Sequence, residues 1–141
     1  MKATVRWVDG MQFSGISETG HEVVMDGAPE YGGHDQGPRP MELVLLGMGG
    51  CTAFDIVHIL KKGRQPVEGC EAVLEAERAP EDPKVFTRIH VHFAIRGHGL
   101  NPDQVARAIS LSSEKYCSAS IMLGKTARIT HDFEIIEAAG P

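Results

Sequence analysis

The sequence has no surplus of positive charge and no cluster of it. Across 141 residues, 14 Lys and Arg stand against 19 Asp and Glu, giving a formal net charge of -5 and an isoelectric point near 5.8. Non-specific nucleic-acid binding needs a basic face that displaces counterions from phosphates, so no nucleic-acid partner is expected. No Lys/Arg run is long enough to hold an anionic membrane surface. Cysteine is scarce: three residues, an odd number, without the spacing of a secreted disulfide framework. A cytoplasmic protein with reduced thiols is expected. Met1-Lys2-Ala3 leads straight into polar sequence, so no signal peptide is expected. The longest apolar run is interrupted by Gly47, Gly49, Gly50 and Asp55 and reads as no membrane span. Repeats, low-complexity tracts and an internal domain boundary are also missing, so residues 1–141 read as one domain. Gly47-x-Gly49-Gly50 lies inside a helical run and lacks the strand–loop context of a phosphate loop. No Ser-His-Asp arrangement and no cofactor motif is recognisable.

What is present centres on the stretch from Pro38 to Leu60. Its apolar residues fall on every side, the pattern of a buried helix. Prolines suit the first turn. Lys61 and Lys62 suit the negative end of the helix dipole, and Gly63 is expected to take the left-handed cap. Gly47, Gly49 and Gly50 each cost a helix about 1 kcal/mol relative to Ala. Three of them together predict a close approach by another backbone.

Around this helix the alternation of apolar and polar residues predicts strands. Residues 2–9 place Ala3, Val5 and Trp7 on one face, and Asp9-Gly10 is a hairpin turn pair. Met11–Gly15 and His21–Asp26 read as two further strands, and residues 27–38 as a loop. Val67–Arg78 places Cys70, Ala72, Leu74 and Ala76 inward. Phe86–Arg96 does the same with Ile89, Val91, Phe93 and Ile95. Asn101-Pro102-Asp103-Gln104 is a capped helix start, with a bend expected at Ser112-Ser113 and a stop at Gly124. Residues 127–137 form a last strand. The order β-β-β-α-β-β-α-β is that of an α+β domain.

Cys51 and Cys117 fall on the two predicted helices. If the fold brings them together, they can run a cycle in which one thiolate is oxidised to a sulfenic acid and the other closes a disulfide. The alternative is that both are small buried hydrophobes. Cys70 reads as structural. Such a cycle needs a cation to lower the thiol pKa, and Arg39, Arg6, Arg64 and Lys115 are the candidates. His90, His92 and His131 lie on strands without metal-ligand spacing, so no metal site is assigned. Asp55 and His58 are polar groups in an apolar helix. They require partners, and they either line a pocket or bond a neighbouring segment.

Pro40-x-Glu42-Leu43, Gly49-Gly50-Cys51 and Glu114-Lys115-Tyr116-Cys117 together resemble the OsmC/Ohr family across nearly the whole chain. Met25-Asp26-Gly27 and Lys62-Gly63-Arg64-Gln65 are closest to its YhfA-like branch. The resemblance implies an OsmC-like domain, with two central helices wrapped by sheets in an intertwined homodimer. It implies reduction of organic hydroperoxides in an oxidative or osmotic stress response, with Cys51 peroxidatic and Cys117 resolving, a dithiol as reductant, and an Arg and a Glu activating Cys51. The family's Glu directly follows the proline. Here Met41 holds that place and Glu42 comes next, about 100° further round the helix. The family's Arg corresponds to Arg39 or Arg6. A small apolar hydroperoxide is the expected substrate, in a pocket lined by Met41, Leu45, Met48 and Phe54. The alternative within the same fold is a non-catalytic protein that binds a small apolar or acyl ligand.

Overall fold

The computed structural model describes residues 1–140. The chain divides into two compact units, residues 1–46 and residues from Gly47 onward. The first holds an antiparallel sheet of β1 (Ala3–Asp9), β2 (Gln12–Ser17) and β3 (Glu22–Met25) in that order. At the β1–β2 turn Gly10 takes φ 53°, its amide donates to Asp9, and the Trp7 indole donates to its carbonyl. Both faces of β1 are exposed along its whole length. Alternation records which face is apolar, not what covers it.

The loop after β3 is organised by a residue that sequence reasoning passed over. The Asp26 carboxylate is buried and accepts the amides of Gly27, His34 and Gln36 at 2.8, 3.1 and 3.2 Å. Burial works to raise its pKa. The three amides and the charge on His34 outweigh that and hold it below the ordinary carboxylate value. Gly33 passes so close to the Gly27 carbonyl that a side chain there has no room.

Helix α1 (Pro40–Lys62) begins in the first unit and continues in the second. Glu42 reaches back to the Arg39 amide at 2.8 Å, the carboxylate half of a capping box. At the other end Gln65 donates to Leu60 and Arg64 to Lys61, a Schellman closure. The left-handed residue is Arg64, with φ 58°, and not Gly63. Gly63 instead clears space for Gln104, whose side chain a Cβ would meet at 2.8 Å.

The second unit is built on β4 (Val67–Arg78), β5 (Phe86–Gly97) and β6 (Arg128–Glu137), with β4–β5 antiparallel and β5–β6 parallel. Ile89, Val91, Phe93 and Ile95 of β5 are buried, each such side chain contributing about 1.5–3 kcal/mol. From α1, Met48, Thr52, Ile56 and Leu60 are buried as well. By length and composition α1 could cross a membrane, but these residues make it a core helix. It is not covered all round: Leu46 is 63% and Phe54 71% exposed. Nor, among the described residues of this chain, does a backbone press on its glycines. Leu74 of β4 packs over Gly49, and Gly47 and Gly50 meet nothing within 4 Å.

Helix α2 (Pro102–Leu111) starts as expected, with the Asn101 side chain accepting the amides of Asp103 and Gln104. The expected bend at Ser112-Ser113 is a π-helical turn, Ser112–Tyr116. Cys117 is then extended (φ -77°, ψ 102°) and caps a short helix α3 (Ser118–Leu123). Cys117 therefore lies between helices and not within one, because a π-turn consumes a residue more than an α-turn and cannot propagate.

Candidate functional site

The π-turn aims Cys117 at α1. Its amide donates to the Ser112 carbonyl at 2.7 Å. The Ser112 hydroxyl donates to Asp55 at 3.0 Å, so one residue holds both the second thiol and the carboxylate. The sulfurs of Cys51 and Cys117 and a carboxylate oxygen of Asp55 all lie within 4.8 Å of one another. Cys51, Thr52 and Asp55 share this part of α1, with the Thr52 hydroxyl turned back onto the Met48 and Gly49 carbonyls.

The two thiols differ in surroundings. Cys117 is fully buried and Cys51 partly exposed. Burial pushes the Cys117 thiol up, the Ser120 hydroxyl and amide pull it down, and the neighbouring Cys51 thiol raises it again, leaving it above an ordinary thiol. The Ser120 amide donates to Cys117 Sγ at 3.3 Å. The Ser120 hydroxyl is buried and, among the described residues, has no hydrogen bond of good geometry. Cys70, elsewhere on β4, is pushed up by burial alone.

Asp55 also opens onto a cleft of about 610 Å³. Ile59, Leu60, Leu111 and Tyr116 give it apolar wall, and His58, Lys62 and Arg107 give it cationic character. Asp55 thus meets both sequence expectations, bonding a neighbouring segment and lining a pocket.

A family model described as OsmC-like protein matches residues 33–132. The chain belongs to the OsmC-like family. It is 49% identical to Protein YhfA of Escherichia coli (strain K12) over 138 residues, covering 98% of this chain and 100% of that one. A hypothetical protein from Aquifex aeolicus VF5 superimposes with a TM-score of 0.85 at 26% identity, covering 98% of this chain and 97% of the other. An organic hydroperoxide resistance protein OsmC from Legionella pneumophila does so with a TM-score of 0.69 at 17% identity, covering 94% and 95%. That last likeness speaks for the OsmC fold alone.

Of the residues singled out in the sequence, the fold brings Cys51 and Cys117 together. Arg39, in the first unit, is ion-paired with Asp35 at 2.6 Å, and Glu42 caps α1. Arg6 is exposed on β1. The expected pocket residues do not share one cavity: Met48 lines a void of about 10 Å³ beside Val91 and Phe93, whereas Phe54 lines a separate cavity with Cys70. His90 and His92 converge on Asp132 at 3.0 and 2.9 Å, and His131 lies 3.4 Å from Ser113 instead. Ser112 and Ser120 were not found from sequence. Their only signal was the serine-rich run around Cys117.

Proposed function

We propose that the chain is a thiol-dependent peroxidase that reduces organic hydroperoxides through Cys51 and Cys117. The observation that carries this reading is the thiol pair itself, one member partly exposed and the other buried behind it. The partly exposed Cys51 attacks the terminal peroxide oxygen, the O–O bond breaks, and the thiol proton leaves with the alcohol. The product is a sulfenic acid on Cys51. Cys117 then attacks that sulfur, water leaves, and a disulfide closes. A small dithiol returns both sulfurs to thiols by exchange. The apolar wall of the cleft supports a small apolar substrate, with Asp55 linking that cleft to the thiols. A relative of the same fold is called an organic hydroperoxide resistance protein, in keeping with a role in oxidative stress.

The thiolate is the nucleophile, so an activating cation is required, and Arg39 or Arg6 is its proposed source, with Glu42 holding the Arg39 backbone. Because 138 residues of this chain match the full length of Protein YhfA, residues 1–141 are read as one OsmC-like domain. The three cysteines without secreted-type spacing support a cytoplasmic site of action. Consumption of cumene hydroperoxide with a dithiol reductant tests the reading. Cys51→Ser abolishes it, Cys117→Ser permits one turnover, and Arg39→Met or Arg6→Met slows Cys51 alkylation. If the wild type consumes no hydroperoxide and Cys51 alkylates as an ordinary thiol, the cleft is left as a binding site for a small apolar or acyl ligand.

A further inference from the structure

The group that stands with the two thiols is a carboxylate, which disfavours a thiolate beside it. Two sulfurs and a carboxylate oxygen nevertheless make a ligand set in their own right. Zinc holds thiolates at about 2.3 Å and carboxylates at about 2.0–2.2 Å in a tetrahedron. That arrangement puts the ligand atoms about 3.6–3.8 Å apart, inside the 4.8 Å that encloses Cys51 Sγ, Cys117 Sγ and the Asp55 carboxylate. We propose that the reduced protein binds one thiophilic divalent ion, of the zinc class, through Cys51, Cys117 and Asp55.

Three features support this assignment. The ligands are oriented from outside, as metal ligands usually are: Ser112 donates to Asp55 at 3.0 Å and the Ser120 amide to Cys117 Sγ at 3.3 Å. Asp55 borders the open cleft, which gives an entry path on the carboxylate side. The donor set selects against magnesium and calcium, which prefer all-oxygen surroundings. Binding displaces the two thiol protons, so affinity rises with pH. The ion and a Cys51–Cys117 disulfide need the same sulfurs and exclude each other.

The test uses full-length, reduced, chelator-washed protein and no hydroperoxide, so its outcome is independent of the peroxidase reading. Cobalt(II) is titrated in as the probe, then displaced with zinc against a chromophoric chelator. One ion per chain is expected, with thiolate-to-cobalt charge-transfer absorption and the d–d bands of a four-coordinate ion. Cys51→Ser, Cys117→Ser and Asp55→Asn should each weaken binding by about tenfold or more, and Cys70→Ser should leave it unchanged. Oxidised protein should not bind. Should a variant fail to fold, wild-type alkylation decides: zinc should shield Cys51 and Cys117 but not Cys70. The assignment is overturned by no thiolate–cobalt absorption, by binding that survives Cys117→Ser or Asp55→Asn, or by binding that depends on Cys70.

Discussion

Cys117 donates its amide to the carbonyl of Ser112 at 2.7 Å, and that bond closes the π-turn that brings the second thiol to the first. A π-turn holds one residue more than the α-turn it replaces. Inserting one alanine after Ser113 adds a residue that the π-turn cannot absorb and should rotate Cys117 by about 100°. Mild peroxide should link Cys51 to Cys117 in the wild type, seen by mass spectrometry of peptides, and should give no such link in the insertion variant with its helix content preserved. A link through Cys70 in the wild type would overturn the pairing.

The exposed side of α1 leads to a second prediction. Leu46 at 63% and Phe54 at 71% exposure lie on a helix with few charges, and an apolar area of this kind is rarely left in water. A two-fold homodimer is expected, in which a second copy covers α1. Sedimentation at low micromolar concentration should give a dimer, and Phe54→Lys should shift it toward monomer. A wild-type monomer would sink the idea.

A third prediction concerns pH. His92 accepts the company of Asp132 and Glu134, which hold its pKa above that of an ordinary imidazole. His92 in turn, with His90, holds Asp132 below the ordinary carboxylate value despite some desolvation. The raised imidazole contributes stability in full below about pH 6.5 and loses it as pH rises through its folded value. The depressed carboxylate contributes above about pH 3.9 and loses it as pH falls through its folded value. The difference in melting temperature between wild type and His92→Gln should therefore be largest near pH 5 and fade in the alkaline range. A difference that does not vary with pH would refute this.

Two stability measurements check the local packing. Asn101→Ala removes the side chain that takes two amides of α2 and should cost about 1 kcal/mol. Gly49→Val drives into Leu74, which a Cβ alone would meet at 2.8 Å, and should cost about 1–3 kcal/mol. Gly50→Ala, where nothing lies within 4 Å, should be neutral or stabilising by comparison in chemical denaturation. The reverse ranking would show that Leu74 yields freely.

Much of this fold was legible because its signals are local. The alternation in β5 gave Ile89, Val91, Phe93 and Ile95 their faces, and Asn101-Pro102 marked the start of α2. What failed depended on what lies across from a residue. Gly63 clears space for Gln104 and Gly49 for the Leu74 side chain, neighbours that periodicity does not name. The resemblance to OsmC-like proteins paired Cys51 with Cys117. The role of Ser112, and that it is the residue Asp55 bonds, could not be read beforehand, because they depend on a π-turn that no residue pattern announces. Glu42 and Arg39 were read for their charge, whereas the backbone amide of Arg39 and the carboxylate of Asp35 decide where those side chains go.

The parallel pairing of β6 with β5 also places the last strand late in assembly. Parallel neighbours cannot be joined by a tight turn, so β6 reaches β5 only after α2, the π-turn and α3 have been made. Contacts of such long sequence separation form late. A chain growing from its N-terminus displays Cys51 and Cys70 while Cys117 is still to come. Cys51 and Cys117 are themselves far apart in sequence, so until Cys117 arrives an oxidant meets Cys51 without its partner.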